Sequence, residues 1–137
     1  TTYRDLLDAT RRLTRDESMV SEMFRRACFN VFAHNRDDHS RNFAFLMDER
    51  GTWTASPAFD LTFSDGPGGE HSMLVGREGA NPKEADLLEL ASSTDVKRPR
   101  AIIEEVRLAV GDFRRYADEA GVPRRLRDAI SKVQRAR

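Results

Sequence analysis

Phe29-Asn30-Val31-Phe32-Ala33-His34-Asn35-Arg36-Asp37-Asp38-His39-Ser40-Arg41-Asn42 begins as a helix and ends as something else. Its apolar residues continue the series Met19, Met23, Phe24, Ala27 and Cys28, so a helix starting at Ser18 carries a wide apolar stripe, with Arg25 and Arg26 on its wet side. The periodicity stops at His34 and Asn35, and every residue from there to Arg41 is polar or charged. A polar run of that kind between two apolar segments is a loop held ready for use. Phe43 to Met47 and Thr52 to Ser56 follow as short β-forming runs, and Asp48-Glu49-Arg50-Gly51 between them supplies turn residues ending in glycine, which predicts a β-hairpin.

Outward from this centre the pattern is mainly helical. Tyr3, Leu6, Leu7, Thr10 and Leu13 mark a first short helix, broken by Thr14 to Glu17. After the hairpin an irregular segment runs from Pro57 to Glu70; its Asp65-Gly66-Pro67-Gly68-Gly69 reads as a mobile loop, with a short strand expected from His71 to Val75. Asn81, Pro82 and Glu84 open a third helix ending near Ser93. Pro99 opens a fourth, in which Ile102, Ile103, Val106, Ala109, Val110, Phe113 and Ala117 face the core until Gly121 ends it. Pro123 starts a last one, with Leu126, Ala129, Ile130 and Val133 on its apolar side. The expected fold is mainly α (α+β), and 137 residues suit one compact unit, residues 1–137.

Composition narrows the class. No apolar run is long enough to span a bilayer and Thr1 to Arg12 lacks the apolar centre of a signal peptide, so a soluble, cytoplasmic protein with no membrane partner is expected. Cys28, the one cysteine, lies in an apolar run and reads as a buried small hydrophobe. Net charge is zero, yet acids gather between Asp37 and Asp95. Bases gather from Lys97 through Arg98, Arg100, Arg107, Arg114, Arg115, Arg124, Arg125, Arg127, Lys132, Arg135 and Arg137. The acidic middle suits a cation site, and the basic end reads as a solvated helical face or an anion-binding surface.

The chemistry concentrates at the hairpin. Two antiparallel strands return the chain to its starting point, so Asn42, just before the ribbon, and Asp60, just after it, belong at the same end, with Asp37 a short loop away. Mg²⁺ takes one or two carboxylates or amides together with phosphate oxygens and water, and an acceptor hydroxyl needs an Asp to orient it and take its proton. Protein kinases place a catalytic Asp and a metal-binding Asn five positions apart in one loop, with a second metal-binding Asp beyond a short hairpin. Asp37 and Asn42 have that spacing, and Asp37-Asp38-His39-Ser40-Arg41-Asn42 also has the Asp-x-His-x-x-Asn form of the phosphatidylinositol kinases.

Taken whole, the segment from Phe29 through Trp53 to Ser56-Pro57-Ala58-Phe59-Asp60-Leu61 resembles the C-terminal region of the HipA family, toxin kinases of bacterial toxin–antitoxin modules. The resemblance is strongest from Phe24 to Thr62; through Gly76 to Leu90 and the helix of Ile102, Ile103 and Val106 it holds in pattern. It implies a kinase-like C-lobe with the hairpin at its active edge, transferring the γ-phosphoryl group of ATP to a Ser or Thr hydroxyl of a protein substrate. By the same resemblance Asp37 is the catalytic Asp, Asn42 and Asp60 hold Mg²⁺ and with it the ATP, and His39 and Arg41 stand near the phosphates. The implied partners are ATP, the protein substrate and a HipB-like antitoxin, with DNA reached only indirectly through that antitoxin. His34 and Asn35 stand where many members have Gly and Asn. No Gly-rich phosphate loop precedes the site, and the lysines, Lys83, Lys97 and Lys132, fall in helical or linker sequence. The chain is therefore expected to be a fragment of a longer kinase, inactive in isolation.

Two other readings compete with the kinase one. A metal-dependent hydrolase would use Asp37, Asp38, His39, Asp60 and His71 as ligands, although Asn42 would then have no role. A non-catalytic module would meet an antitoxin or DNA through the arginines after Lys97. In the kinase reading Asp38 is solvated, His71 lies on the surface, and Trp53 and Phe59 are core.

Overall fold

The computed structural model describes residues 1–135; Arg137, counted above among the C-terminal bases, lies outside the described residues. Six helices and one two-stranded antiparallel sheet make the mainly α architecture: α1 (Tyr3–Thr14), α2 (Glu17–Phe32), β1 (Phe45–Met47), β2 (Trp53–Ala55), α3 (Glu84–Ser93), α4 (Pro99–Gly111), α5 (Phe113–Glu119) and α6 (Arg124–Arg135). Among the described residues no helix is long and apolar enough to cross a membrane.

α1 starts where the sequence supplies a capping box. Thr2 Oγ1 accepts from the Asp5 N–H at 3.1 Å, and the Asp5 carboxylate accepts from the Thr2 N–H at 2.9 Å. The helix stops at Arg15 in a left-handed conformation, and Asp16 caps α2 by accepting from the Ser18 N–H at 2.8 Å. α2 is the central element. Val20, Met23, Phe24, Ala27, Cys28 and Val31 on it are fully buried, packed with Tyr3 and Leu7 of α1, Leu87 and Leu90 of α3, and Ile103 and Val106 of α4. Arg26 does not sit on a wet face: it is buried, and its Nη2 donates to the Ser56 carbonyl at 2.7 Å, fastening the end of β2 to the central helix.

Burial pushes the Cys28 thiol up to about 12. Its folded-state value lies above the ordinary 9.0, so the neutral thiol's contribution is complete below pH 9 and is lost as pH climbs from there towards 12. Cys28→Ala should accordingly flatten the alkaline fall in stability across that window, as read by urea denaturation at stepped pH. An unchanged slope would count against it.

Three elements differ from expectation. The fourth helix breaks at Gly111 and Asp112, where glycine is a poor helix residue and the Asp112 carbonyl accepts from the N–H groups of Arg115 and Tyr116 to begin α5. His71 to Val75 forms no strand; Leu74 bridges Thr2 in parallel and Val75 bridges Glu78, each a single bridge, because Thr2 passes at once into α1 and Val75 into a tight turn. The Gly-rich loop is fastened rather than loose. Arg36 donates from Nη1 to the Gly69 carbonyl and from Nη2 to that of Ala80 at 2.7 Å, and Gly66, at φ +70°, leaves no room for a side chain beside Arg36. α3 begins at Glu84, with the Asp86 carboxylate accepting from the Lys83 N–H at 2.7 Å.

The hairpin is as read. Phe45 pairs with Ala55, Leu46 with Thr54 and Met47 with Trp53, and a further bond from the Ser56 N–H to the Ala44 carbonyl, 2.9 Å, extends the pairing towards Asn42. Asp48 holds the turn by accepting from the Arg50 and Thr52 N–H groups, and Gly51 takes the left-handed conformation the turn demands. Trp53 is half-buried, but Phe59 is exposed rather than core, since the chain after Ser56 leaves the packed face of the ribbon.

Candidate active site

The polar loop leaves α2 through a sharp reversal. His34 adopts φ +57°, a conformation glycine takes freely and other residues take at a cost. Its ring stacks on Phe63 and its Nε2 meets Asp65 Oδ1 at 3.0 Å, side-chain interactions that a glycine lacks. The Asn35 N–H then donates to the Asn30 carbonyl and the Arg36 N–H to that of Ser64, so the loop is laid against both the helix it leaves and the segment that follows Asp60.

Asp38 is the anchor. It is not solvated but 1 % exposed, because four donors surround its carboxylate. Oδ2 accepts from the Tyr3 hydroxyl at 2.5 Å and lies 2.9 Å from His71 Nδ1; Oδ1 accepts from the Ser72 N–H at 2.8 Å and the Met73 N–H at 3.4 Å. His71, expected at the surface, is therefore buried. Tyr3 in turn accepts from Asn30 Nδ2 at 2.9 Å, and Asn30 Oδ1 accepts from Asn35 Nδ2 at 3.0 Å. Burial, and then the neighbouring Asp38 carboxylate, hold the Tyr3 hydroxyl well above its ordinary value, so it stays a donor. This chain of bonds ties α1, α2, the polar loop and the segment 71–73 into one buried polar frame.

Asp37 is bonded differently. It is half-buried, and among the described residues no donor hydrogen-bonds its carboxylate, while its backbone carbonyl accepts from Asn42 Nδ2 at 3.0 Å. A 3-10 turn, Ser40–Asn42, closes this local loop, with the Asn42 N–H donating to the His39 carbonyl at 2.9 Å. Because the Asn42 amide nitrogen is spent on Asp37, its Oδ1 is the atom left for a ligand. Asp60 is exposed and left-handed at φ +54°, a conformation Asp tolerates better than most residues. Arg26, Asn30, Asn35, Asp38, Asn42 and Asp60 contribute to one narrow cleft of about 10 Å³, room for one small particle. His39 is half-buried, its Nδ1 without a hydrogen-bond partner among the described residues, and Arg41 is exposed.

The structure thus brings Asn42 and Asp60 to one cleft and links Asn42 to the backbone of Asp37. Among the described residues no three His, Cys, Asp or Glu side chains come together as a metal cluster. Asp38 and His71 are occupied with each other, which removes them from the ligand set of the hydrolase reading. An amide oxygen and one carboxylate suit Mg²⁺ instead, which keeps its waters and takes further oxygens from a nucleotide.

Part of the basic C-terminal region is paired with acids in place. Arg107 pairs with Glu84, Arg114 with Asp128, Arg115 with Asp112, Arg127 with Asp118, and Lys97 with Asp95. Those five bases form a structural helical face, whereas Arg98, Arg100, Arg125, Lys132 and Arg135 form no ion pair among the described residues.

A helical domain whose central helix runs into a buried polar frame, with oxygen-bearing side chains at the open end of a hairpin, is the class of protein these features define. The chain belongs to the HipA-like C-terminal domain family, whose model matches residues 1–136. Comparisons with curated proteins and with solved structures found no match. Family membership relates the chain to the HipA-type toxins and to kinase chemistry in general terms.

Proposed function

We propose that this chain is the catalytic-loop and metal-binding half of an ATP- and Mg²⁺-dependent serine/threonine protein kinase of the HipA toxin type, cytoplasmic and paired with a HipB-like antitoxin. The observation that carries the reading is the cleft shared by Asn42 and Asp60, with the Asn42 amide fixed on the Asp37 carbonyl. Magnesium-bound ATP, when present, brings the transferable phosphoryl group and screens its charge. Asn42 Oδ1 and the Asp60 carboxylate are the oxygens that hold the ion. The Asp37 carboxylate, unengaged by protein donors, orients the substrate hydroxyl and takes its proton. His39 and Arg41 flank the same turn and offer a hydrogen-bond donor and a positive charge to the transferred group. By the family relation, DNA contact falls to the antitoxin.

The test is transfer of label from γ-labelled ATP to protein serine or threonine by the natural full-length protein. Transfer should require Mg²⁺ and should fall about a hundredfold or more in Asp60→Asn, the scale for losing one group that stabilises charge in such a site. Transfer indifferent to that substitution would refute the assignment.

A further inference from the structure

Asn35 is 2 % exposed, yet among the described residues its Oδ1 has no hydrogen-bond partner. A buried carbonyl oxygen left unpaired is destabilising, so such an atom in a native protein calls for an explanation. The neighbouring bonds supply one. Asn35 Nδ2 donates to Asn30 Oδ1 at 3.0 Å, and Asn30 is held from its other side by donating to the Tyr3 hydroxyl, which itself donates to Asp38. Each member fixes the orientation of the next. The Asn35 amide is therefore set with its nitrogen in the buried frame and its oxygen unspent, and the residue contributes to the same cleft as Asn42 and Asp60. That cleft, about 10 Å³, admits about one water molecule.

We infer that Asn35 Oδ1 is a third oxygen of the cation cleft, accepting a hydrogen bond from a water in the hydration shell of the divalent ion held by Asn42 and Asp60. The inference rests on the metal role proposed above for those two residues. Mg²⁺ and Mn²⁺ polarise the water they bind, which makes that water a strong donor, and a fixed neutral acceptor behind it orients the ion without adding charge. The buried frame thereby connects to the ion through one residue, so Asn35 is a positioning residue.

The experiment is a Mn²⁺ titration of the natural full-length protein with a non-hydrolysable ATP analogue, reading the free ion by electron paramagnetic resonance, for wild type, Asp60→Asn, Asn35→Leu and Asn35→Asp. Both Asn35 variants lose the donor to Asn30, but only Asp keeps an oxygen in the cleft. Asn35→Leu should bind Mn²⁺ about tenfold more weakly, as expected for an outer-shell partner, whereas Asn35→Asp should bind at least as tightly as wild type. Equal weakening of the two, or no weakening in either, alongside weakened binding in Asp60→Asn overturns the Asn35 role and leaves the metal site standing. Mn²⁺ binding unaffected by Asp60→Asn overturns the metal reading, and this inference with it. If Asn35→Leu does not fold, the Asp variant decides: binding at least as tight as wild type supports the role, and weaker binding overturns it.

Discussion

Asp37→Ala in the natural full-length protein is expected to lower phosphoryl transfer by about 10²- to 10⁴-fold, the range for losing a positioned general base, with the melting temperature nearly unchanged. The split follows from what each part of Asp37 does. Among the described residues no donor engages its carboxylate, so truncation breaks no bond of the fold. The backbone carbonyl that holds Asn42 survives the substitution, so the amide oxygen proposed for the ion keeps its place. Wild-type transfer rates in the variant would sink the base assignment, and a large loss of stability would show that the carboxylate has a structural task instead.

Asp38→Ala, one residue along, should have the opposite profile. Its removal leaves the Tyr3 hydroxyl, His71 Nδ1 and the Ser72 and Met73 N–H groups without their acceptor. Breaking a buried, multiply bonded charged group in this way is destabilising by about 3–5 kcal/mol. Asp38→Asn keeps one carbonyl oxygen and should lose less. Urea denaturation measures both, and a loss in Asp38→Ala within the error of the method would mean that the frame is not a structural keystone. Two adjacent carboxylates are thus expected to separate cleanly, one acting on rate and the other on stability.

Periodicity made α1, α2, α3 and α6 legible, and turn residues did the same for the hairpin, because each of those signals is local. The break between α4 and α5 was hidden, since Val110, Phe113 and Ala117 carry an apolar pattern straight across Gly111 and Asp112. Asp38 and His71 were misplaced for a different reason. A buried acid is distinguished from a solvated one by its partners, and here these lie 33 to 35 residues away in the chain. One clue was available: Asn30 falls in the apolar stripe of its helix between Ala27 and Val31, and a polar residue there needs a buried partner. The kinase spacing of Asp37 and Asn42 and the hairpin that returns the chain to Asp60 were visible throughout, whereas the burial of Asn35 required the folded frame.

The Tyr3 hydroxyl, on the first turn of α1, is bonded to both Asp38 and Asn30 and so braces the polar loop from outside it. Tyr3→Phe would take away that strut while leaving residues 37–42 as they are, so a change in the first helix would loosen the distant hairpin mouth before any helix had visibly melted.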